Sequence, residues 1–360
     1  VKGATPAVTG LASGLAEPRL PALDGLRAVA VFLVIFYHYG IAWSPGGLGV
    51  LIFFVISGFL ITWLLLKEHA RHGAVSLRKF YIRRAHRIFP AIYFYAILTL
   101  TALVIFHKAV NWPQTISALF YVCNYYQAFL GDPSTDFSHT WSLAVEEQFY
   151  LLWPPLFVFL VRRGKWLAAV PALLIVFEWI YRAVLQFGLR VPQKYFYEAF
   201  DTRFDQLLVG CLLAIVLFKT RDHPGWARLS RLPWLPFATT GLLAASAALE
   251  FHFGSGYRDS LGFLFNPLLT AILIPQLIVF RGRWFAAWLQ FKPVVYLGGI
   301  SYSLYLYQQL VLYPASKRFH SMGPLFELAA TMALLILIAS ASYRFIEQPF
   351  LRFKDRVFSV

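Results

Sequence analysis

Eleven apolar stretches, most of them close to twenty residues long, follow one another along this 360-residue chain, at about 26–43, 47–66, 88–106, 115–130, 142–161, 166–187, 204–219, 233–251, 261–280, 294–313 and 323–346. A helix of about 20 apolar residues spans a hydrocarbon core ~30 Å thick. The runs are continuous rather than alternating with period two, which excludes a transmembrane barrel. Composition points the same way. Charged residues make up 14% and hydrophobic residues 59%, against roughly 25% charged in a soluble domain, so a soluble globule could not cover itself with polar surface. The chain is expected to be an all-α polytopic membrane protein.

Charge chooses between span counts. Eleven spans would put the loop Arg162-Arg163-Gly164-Lys165 on the opposite side from the arginine-rich 67–87 loop. The stretch 115–130 is interrupted by Asn124, Tyr125, Tyr126 and Gln127. Read as a re-entrant or interfacial helix, it leaves ten transmembrane helices and puts every basic loop on one side. Cytoplasmic segments, with Arg27 counted at the cytoplasmic rim of the first span, then hold 24 of the 32 Lys+Arg and external segments 7, with Arg182 left inside a span. By the positive-inside rule both termini are cytoplasmic, in an integral plasma (inner) membrane protein. The formal charge of +15 is explained by this bias, and nucleic acid is not an expected partner. Residues 1–20, rich in Ala, Gly and Pro, read as a disordered cytoplasmic tail, 21–350 as one membrane domain and 351–360 as a short cytoplasmic tail. Cys123 and Cys211 have no metal-site or disulfide spacing.

Ionisable residues inside spans are costly and mark function by default. Arg27 and His38 are eleven residues apart in the first span, which places them about 20° apart on one helix face and roughly 16 Å apart along it. Before the third span, Arg83, Arg84 and Arg87 gather at i,i+3 and i,i+4. That cluster suits phosphates held bidentately, and equally suits membrane anchoring. The segment Ser138-His139-Thr140-Trp141-Ser142-Leu143-Ala144-Val145-Glu146-Glu147-Gln148 opens the fourth span with two adjacent carboxylates, whose cost a helix N-terminus partly offsets. Asp201-Thr202-Arg203-Phe204-Asp205 opens the sixth. Asp201 is placed to cap it, while Arg203 and Asp205 can pair with each other or bind hydroxyls. Ser57-Gly58 lets helices approach closely, and the ninth span carries a polar aromatic stripe that includes Tyr305 and Gln308.

In this order the segments resemble the membrane acyltransferase 3 family, whose members O-acylate surface polysaccharides, peptidoglycan, lipids and some macrolides. The resemblance runs from about residue 20 to about 350. It rests on Arg27-x10-His38, on Phe53-Phe54-x3-Gly58-Phe59, on Arg83, Arg84 and Arg87, and on Thr140-Trp141-Ser142-Leu143 through Glu146-Glu147-Gln148-Phe149-Tyr150. One position departs: many members carry a histidine where this chain has Gln308, which leaves a hydrogen-bonding role there and puts proton transfer in doubt. Some members add a hydrolase-like domain, for which the stretch after residue 350 is too short. Transfer is therefore expected to be completed by the membrane domain.

The resemblance implies an acyl-CoA co-substrate, acetyl-CoA above all, with no permanently bound cofactor. Arg27, Arg83, Arg84 and Arg87 would hold its phosphates. The acceptor would be a carbohydrate, glycolipid or other hydroxyl compound presented externally past Trp141, Ser142, Asp201, Arg203, Asp205, Tyr305 and Gln308. His38 would act as base, oriented by Glu147 or Glu146, or would carry the acyl group itself. A proton-coupled exporter of a sugar-lipid, with His38 and the glutamates as its relay, is the main rival.

Overall fold

A computed structural model describes residues 10–17, 19–132, 134–189 and 191–357, without the side chains of Ala227 and of 353–357. Sixteen α-helices of six residues or more account for most of them: α1 (Leu11–Ala16), α2 (Pro21–Tyr39), α3 (Gly46–His72), α4 (Leu77–Ile105), α5 (Trp112–Leu119), α6 (Cys123–Leu130), α7 (Trp141–Val161), α8 (Trp166–Ala183), α9 (Gln193–Glu198), α10 (Phe204–Thr220), α11 (Leu235–Phe253), α12 (Phe263–Val279), α13 (Lys292–Gly299), α14 (Ser301–Phe319), α15 (Pro324–Ser342) and α16 (Gln348–Val357).

Among the described residues, seven stretches are long and apolar enough to cross a bilayer: Pro21–Tyr39, Gly46–His72, Leu77–Ile105, Ser138–Val161, Trp166–Leu189, Ser255–Val279 and Pro324–Arg352. The protein is thus a polytopic helical membrane protein, and a count of ten is finer than length and composition establish. Of the other three expected spans, α10 has 17 residues. The helix α11 is interrupted by Thr239, Thr240, Ser246 and Glu250. The third breaks at Ile300 into α13 and α14, and α14 carries Ser301, Ser303, Gln308 and Gln309.

The segment 115–130 belongs to two helices of eight residues each, α5 and α6. Each is about 12 Å long, too short to cross. The break falls at Tyr121, whose φ is +57°. In the segment expected to be disordered, α1 is ordered instead: Leu11 and Leu15 are buried, α1 packs on α12, and Glu17 pairs with Arg281 at 3.0 Å. Two leucines at i,i+4 supply an apolar stripe that the Ala/Gly composition obscured. Residues 1–9 and 358–360 of the two expected tails lie outside the described residues, and α16 continues to Val357.

The helices α2, α3 and α14 form the centre. Among its neighbours α2 packs on α3, α13 and α14, while α10 packs on α3, α8 and α12. The crossing of α3 with α10 brings backbone against backbone. A Cβ on Gly58 would lie 1.9 Å from the Leu207 carbonyl oxygen, and one on Gly210 would lie 2.0 Å from that of Val55. Small residues that let backbones touch are how membrane helices associate. Gly58→Val is expected to force the pair apart at about 1–3 kcal/mol or more, lowering the thermal midpoint in detergent; a midpoint equal to wild type would contradict so close a crossing.

Gly40, at φ +100°, ends α2 just after His38. The amides of Gly40 and Ile41 return to the carbonyls of Tyr37 (3.1 Å) and Phe36 (2.9 Å), the Schellman arrangement that a left-handed glycine permits. His38 is thereby fixed on the last turn of the helix.

Candidate active site

Two cavities open toward opposite ends of the α2–α3–α7–α14 cluster. At the arginine end, a cavity of about 420 Å³ is lined by Arg27, Arg83, Arg84 and Arg87, by Glu146 and Glu147, and by Tyr150 and Tyr302. The sequence-predicted arginine cluster is therefore brought together with the first-span arginine. Arg27 donates to Ser301 Oγ at 3.2 Å. Arg83 is tied to Glu68 at 3.1 Å. Arg84 lies flat over the Tyr150 ring, 3.7 Å from its centre, and the Tyr150 hydroxyl donates to Glu146. Arg87 is exposed. Six basic and five acidic side chains line the cavity, so anion binding there depends on placed guanidinium groups rather than on a large net charge.

At the other end, a cavity of about 300 Å³ is lined by His38, Tyr37, Trp141, Tyr197, Glu198, Arg258 and Tyr305, among others. His38 is exposed within it. Its Nδ1 lies 3.0 Å from the Val34 carbonyl oxygen. A carbonyl only accepts, so this contact assigns the proton to Nδ1 and leaves the Nε2 lone pair free. Gln308, fully buried, lies against the imidazole, and neither of its amide atoms completes a hydrogen bond of good geometry. Glu146 and Glu147, expected to orient His38, line the opposite cavity instead, where they accompany the arginines. The orienting group is the helix's own carbonyl.

The wall between the cavities is thin. On α7, Trp141 lines one cavity and Leu143 the other; on α14, Tyr305 and Tyr302 do the same. Two and three residues of helix correspond to about 3 and 4.5 Å of rise. The Ser142 and Tyr305 hydroxyls meet across this wall at 2.5 Å, and Tyr305 also donates to the His139 carbonyl at 2.8 Å.

The residues opening α10 divide differently from expectation. Asp205 does not pair with Arg203. Both of its oxygens accept from Arg182, at 2.9 and 2.6 Å, and Oδ2 also accepts from the Trp179 indole at 3.0 Å. The Asp205 amide donates to Glu178 at 2.8 Å. Asp201 does not cap α10, since its carboxylate accepts from the hydroxyls of Tyr125, Tyr181 and Tyr195, each at 2.8 Å. Arg203 is fully buried with no hydrogen-bond partner for any of its three guanidinium nitrogens. Its company is aromatic: Phe263, Tyr197, Trp141 and Phe54 lie 4.1, 4.9, 5.4 and 5.7 Å away, within cation–π range.

Two groups escaped the sequence reading. His139 is fully buried, its Nε2 3.0 Å from the Leu306 carbonyl oxygen and its Nδ1 without a partner. Glu198 lies at the end of α9, between the aromatic run Tyr195-Phe196-Tyr197 and Asp201; a carboxylate beside three rings in an inter-span segment is the signal that could have found it. Burial pushes its carboxyl up to about 8, with Asp132 adding to the effect and Lys194 and Arg203 opposing it.

The acyltransferase domain family matches residues 20–344, and the chain belongs to this acyltransferase 3 family. It is 34% identical over 361 residues to the O-acetyltransferase OatA of Staphylococcus aureus, covering 92% of this chain and 57% of that protein. It is 34% identical over 364 residues to the putative peptidoglycan O-acetyltransferase YrhL of Bacillus subtilis, covering 94% and 57%. It is 34% identical over 349 residues to the peptidoglycan O-acetyltransferase OatA of Listeria monocytogenes, covering 92% and 55%. The chain thus spans a little over half the length of these relatives. No solved structure matches.

Proposed function

We propose that this membrane protein transfers an acetyl group from acetyl-CoA, bound at the arginine end, to a hydroxyl of an acceptor bound at the histidine end. The observation that carries the reading is the pair of cavities on either side of one thin wall, the first with Arg27, Arg84 and Arg87 and the second with His38. The positive-inside rule puts the arginine end in the cytoplasm, where acyl-CoA is found. The relatives' names supply the acetyl group and, for the acceptor, a carbohydrate such as peptidoglycan.

In this mechanism Arg84 and Arg87, with Arg27, hold the CoA phosphates, and Glu146 and Glu147 hold the guanidinium groups in place. The pantetheine arm carries the thioester past Leu143 and Tyr302 toward His38, along a helix rise of roughly 16 Å from Arg27. Passage requires the Ser142–Tyr305 contact to open. The His38 Nε2 takes the proton of the acceptor hydroxyl as its oxygen attacks the acetyl carbon. The C–O bond forms, the C–S bond breaks, and the imidazolium returns its proton to the CoA thiolate. Val34 keeps Nδ1 protonated throughout. Trp141 and Tyr305 line the acceptor's side of the site.

The purified protein in nanodiscs is expected to release free CoA from acetyl-CoA and acetylate an added oligosaccharide. The double variant Arg84→Ala/Arg87→Ala is expected to raise the KM for acetyl-CoA at least about tenfold, the equivalent of ~1.4 kcal/mol and close to the low end of what one hydrogen bond to a charged group is worth. Movement of a sugar-lipid across the membrane with no CoA released would replace this reading by the exporter. An unchanged KM in the double variant would reduce the cluster to a membrane anchor.

A further inference from the structure

Glu198 combines three properties that no role described so far uses. It lines the same cavity as His38. It is 6% exposed. Its Oε2 is sealed from solvent with no hydrogen-bond partner among the described residues. Its other oxygen has only a distant companion: Lys194 Nζ is 3.9 Å from Oε1, and that ammonium is committed to Asp132. A buried polar atom left without a partner costs about 1–3 kcal/mol, and native structures keep few such atoms without a reason. Two structural carboxylates nearby are well satisfied: Asp201 accepts from three tyrosines and Asp205 from Arg182 and Trp179. Glu198 is built differently from both.

Its surroundings narrow what would complete it. Trp141 and Tyr197 lie with their rings 5.1 Å apart, and both line the cavity with Tyr37 and Tyr305. Arg258, the guanidinium in the lining, is already used: it pairs with Asp259 at 2.7 Å and lies over the Tyr197 ring at 4.4 Å; Arg203, whose charge also acts on Glu198, is held among Phe54, Trp141, Tyr197 and Phe263. A cavity of about 300 Å³ is at the small end of ligand sites, which run ~300–1,000 Å³. It has room for one sugar ring and not for a folded polymer. Aromatic side chains beside one unsatisfied carboxyl match a pyranose, whose C–H groups pack on aromatic rings while its hydroxyls bond to the carboxyl.

Resting on the acceptor side of the function proposed above, we propose that Glu198 is the acceptor-binding carboxyl: it takes hydrogen bonds from a sugar ring seated against Trp141 and Tyr197, and so holds one of that ring's hydroxyls at His38. Glu198 binds and positions the acceptor; His38 handles its proton.

The test is equilibrium binding of a radiolabelled tetrasaccharide of β-1,4-linked N-acetylglucosamine to the full chain in nanodiscs, for wild type, Glu198→Gln and Glu198→Leu, with acetyl-CoA binding measured on the same samples as a control for folding. Wild type is expected to bind the sugar. Glu198→Leu is expected to bind it at least tenfold more weakly, Glu198→Gln, which keeps an accepting oxygen, to fall between, and both variants to bind acetyl-CoA as wild type does. Equal sugar affinity in all three proteins overturns the proposal, as does wild type that binds no sugar. Loss of acetyl-CoA binding in both variants also overturns it, making Glu198 a structural residue. Because binding is read without turnover, sugar held normally but never acetylated would refute the transfer reaction and leave this assignment standing.

Discussion

His38→Ala is expected to bring acetyl transfer down by about 10²–10⁴-fold, the usual worth of a positioned general base, in protein that still inserts and binds acetyl-CoA. The separation of these effects follows from where His38 sits. It is exposed on the last turn of α2, so truncation opens no hole in a packed core. The Val34 carbonyl it leaves is a backbone acceptor inside a helix. Tyr37, whose ring lies 5.5 Å from the imidazole, stays in place. What is lost is the basic imidazole nitrogen that the Val34 contact leaves unprotonated, Nε2. The check is transfer of labelled acetyl from acetyl-CoA to oligosaccharide, with acetyl-CoA binding measured alongside. His38→Gln separates chemistry from shape, since it keeps a polar side chain but no basic nitrogen, and it is expected to be as inactive as the alanine variant. A rate within a few-fold of wild type in either variant would remove the imidazole from the reaction.

The helix faces were legible in the sequence because a face is a matter of spacing. Eleven residues place Arg27 and His38 on one side of α2, and three and four residues place Arg83, Arg84 and Arg87 together; the structure brings the last three into one cavity with Arg27. The Ser57-Gly58 pair was legible as a packing site for the same reason. Partners were not legible, because spacing says where a side chain points and not what meets it. Asp205 finds Arg182, 23 residues earlier on α8, rather than its near neighbour Arg203. His38 finds the carbonyl one turn back instead of a glutamate on α7. Asp201, an obvious cap by residue type, is taken by three tyrosines from separate segments. Glu198 went unnoticed because α9 is only six residues long and reads as loop. The break at Tyr121 rests on a left-handed backbone angle at a residue type that rarely adopts one, so no residue-type rule announces it.

The second large effect concerns stability, and it separates Asp205 from the substrate-binding role its sequence neighbourhood suggested. The side chains of Arg182, Asp205 and Glu178 are all at most 5% exposed. Asp205→Ala would leave the Arg182 guanidinium with Glu178 at 3.6 Å and the Thr202 carbonyl at 3.1 Å, and would strand the Trp179 indole N–H. Removing one partner of a buried ion pair costs about 3–5 kcal/mol, a large share of the ~5–15 kcal/mol that holds a typical domain together. The expected outcome is a sharp fall in monodisperse protein after detergent extraction and in its thermal midpoint. Removing both charges should undo most of this, because replacing a buried pair with apolar groups of similar size is often neutral. Arg182→Met/Asp205→Leu, combined with Glu178→Gln so that no lone carboxylate remains, is therefore expected to recover folded protein. The recovered variant then decides the role. If Asp205 serves only to lock α8 to α10, the KM for the oligosaccharide in the triple variant equals that of wild type. If Asp205 touches the acceptor, the fold returns but the KM stays raised tenfold or more, and the assignment of Asp205 to structure is wrong.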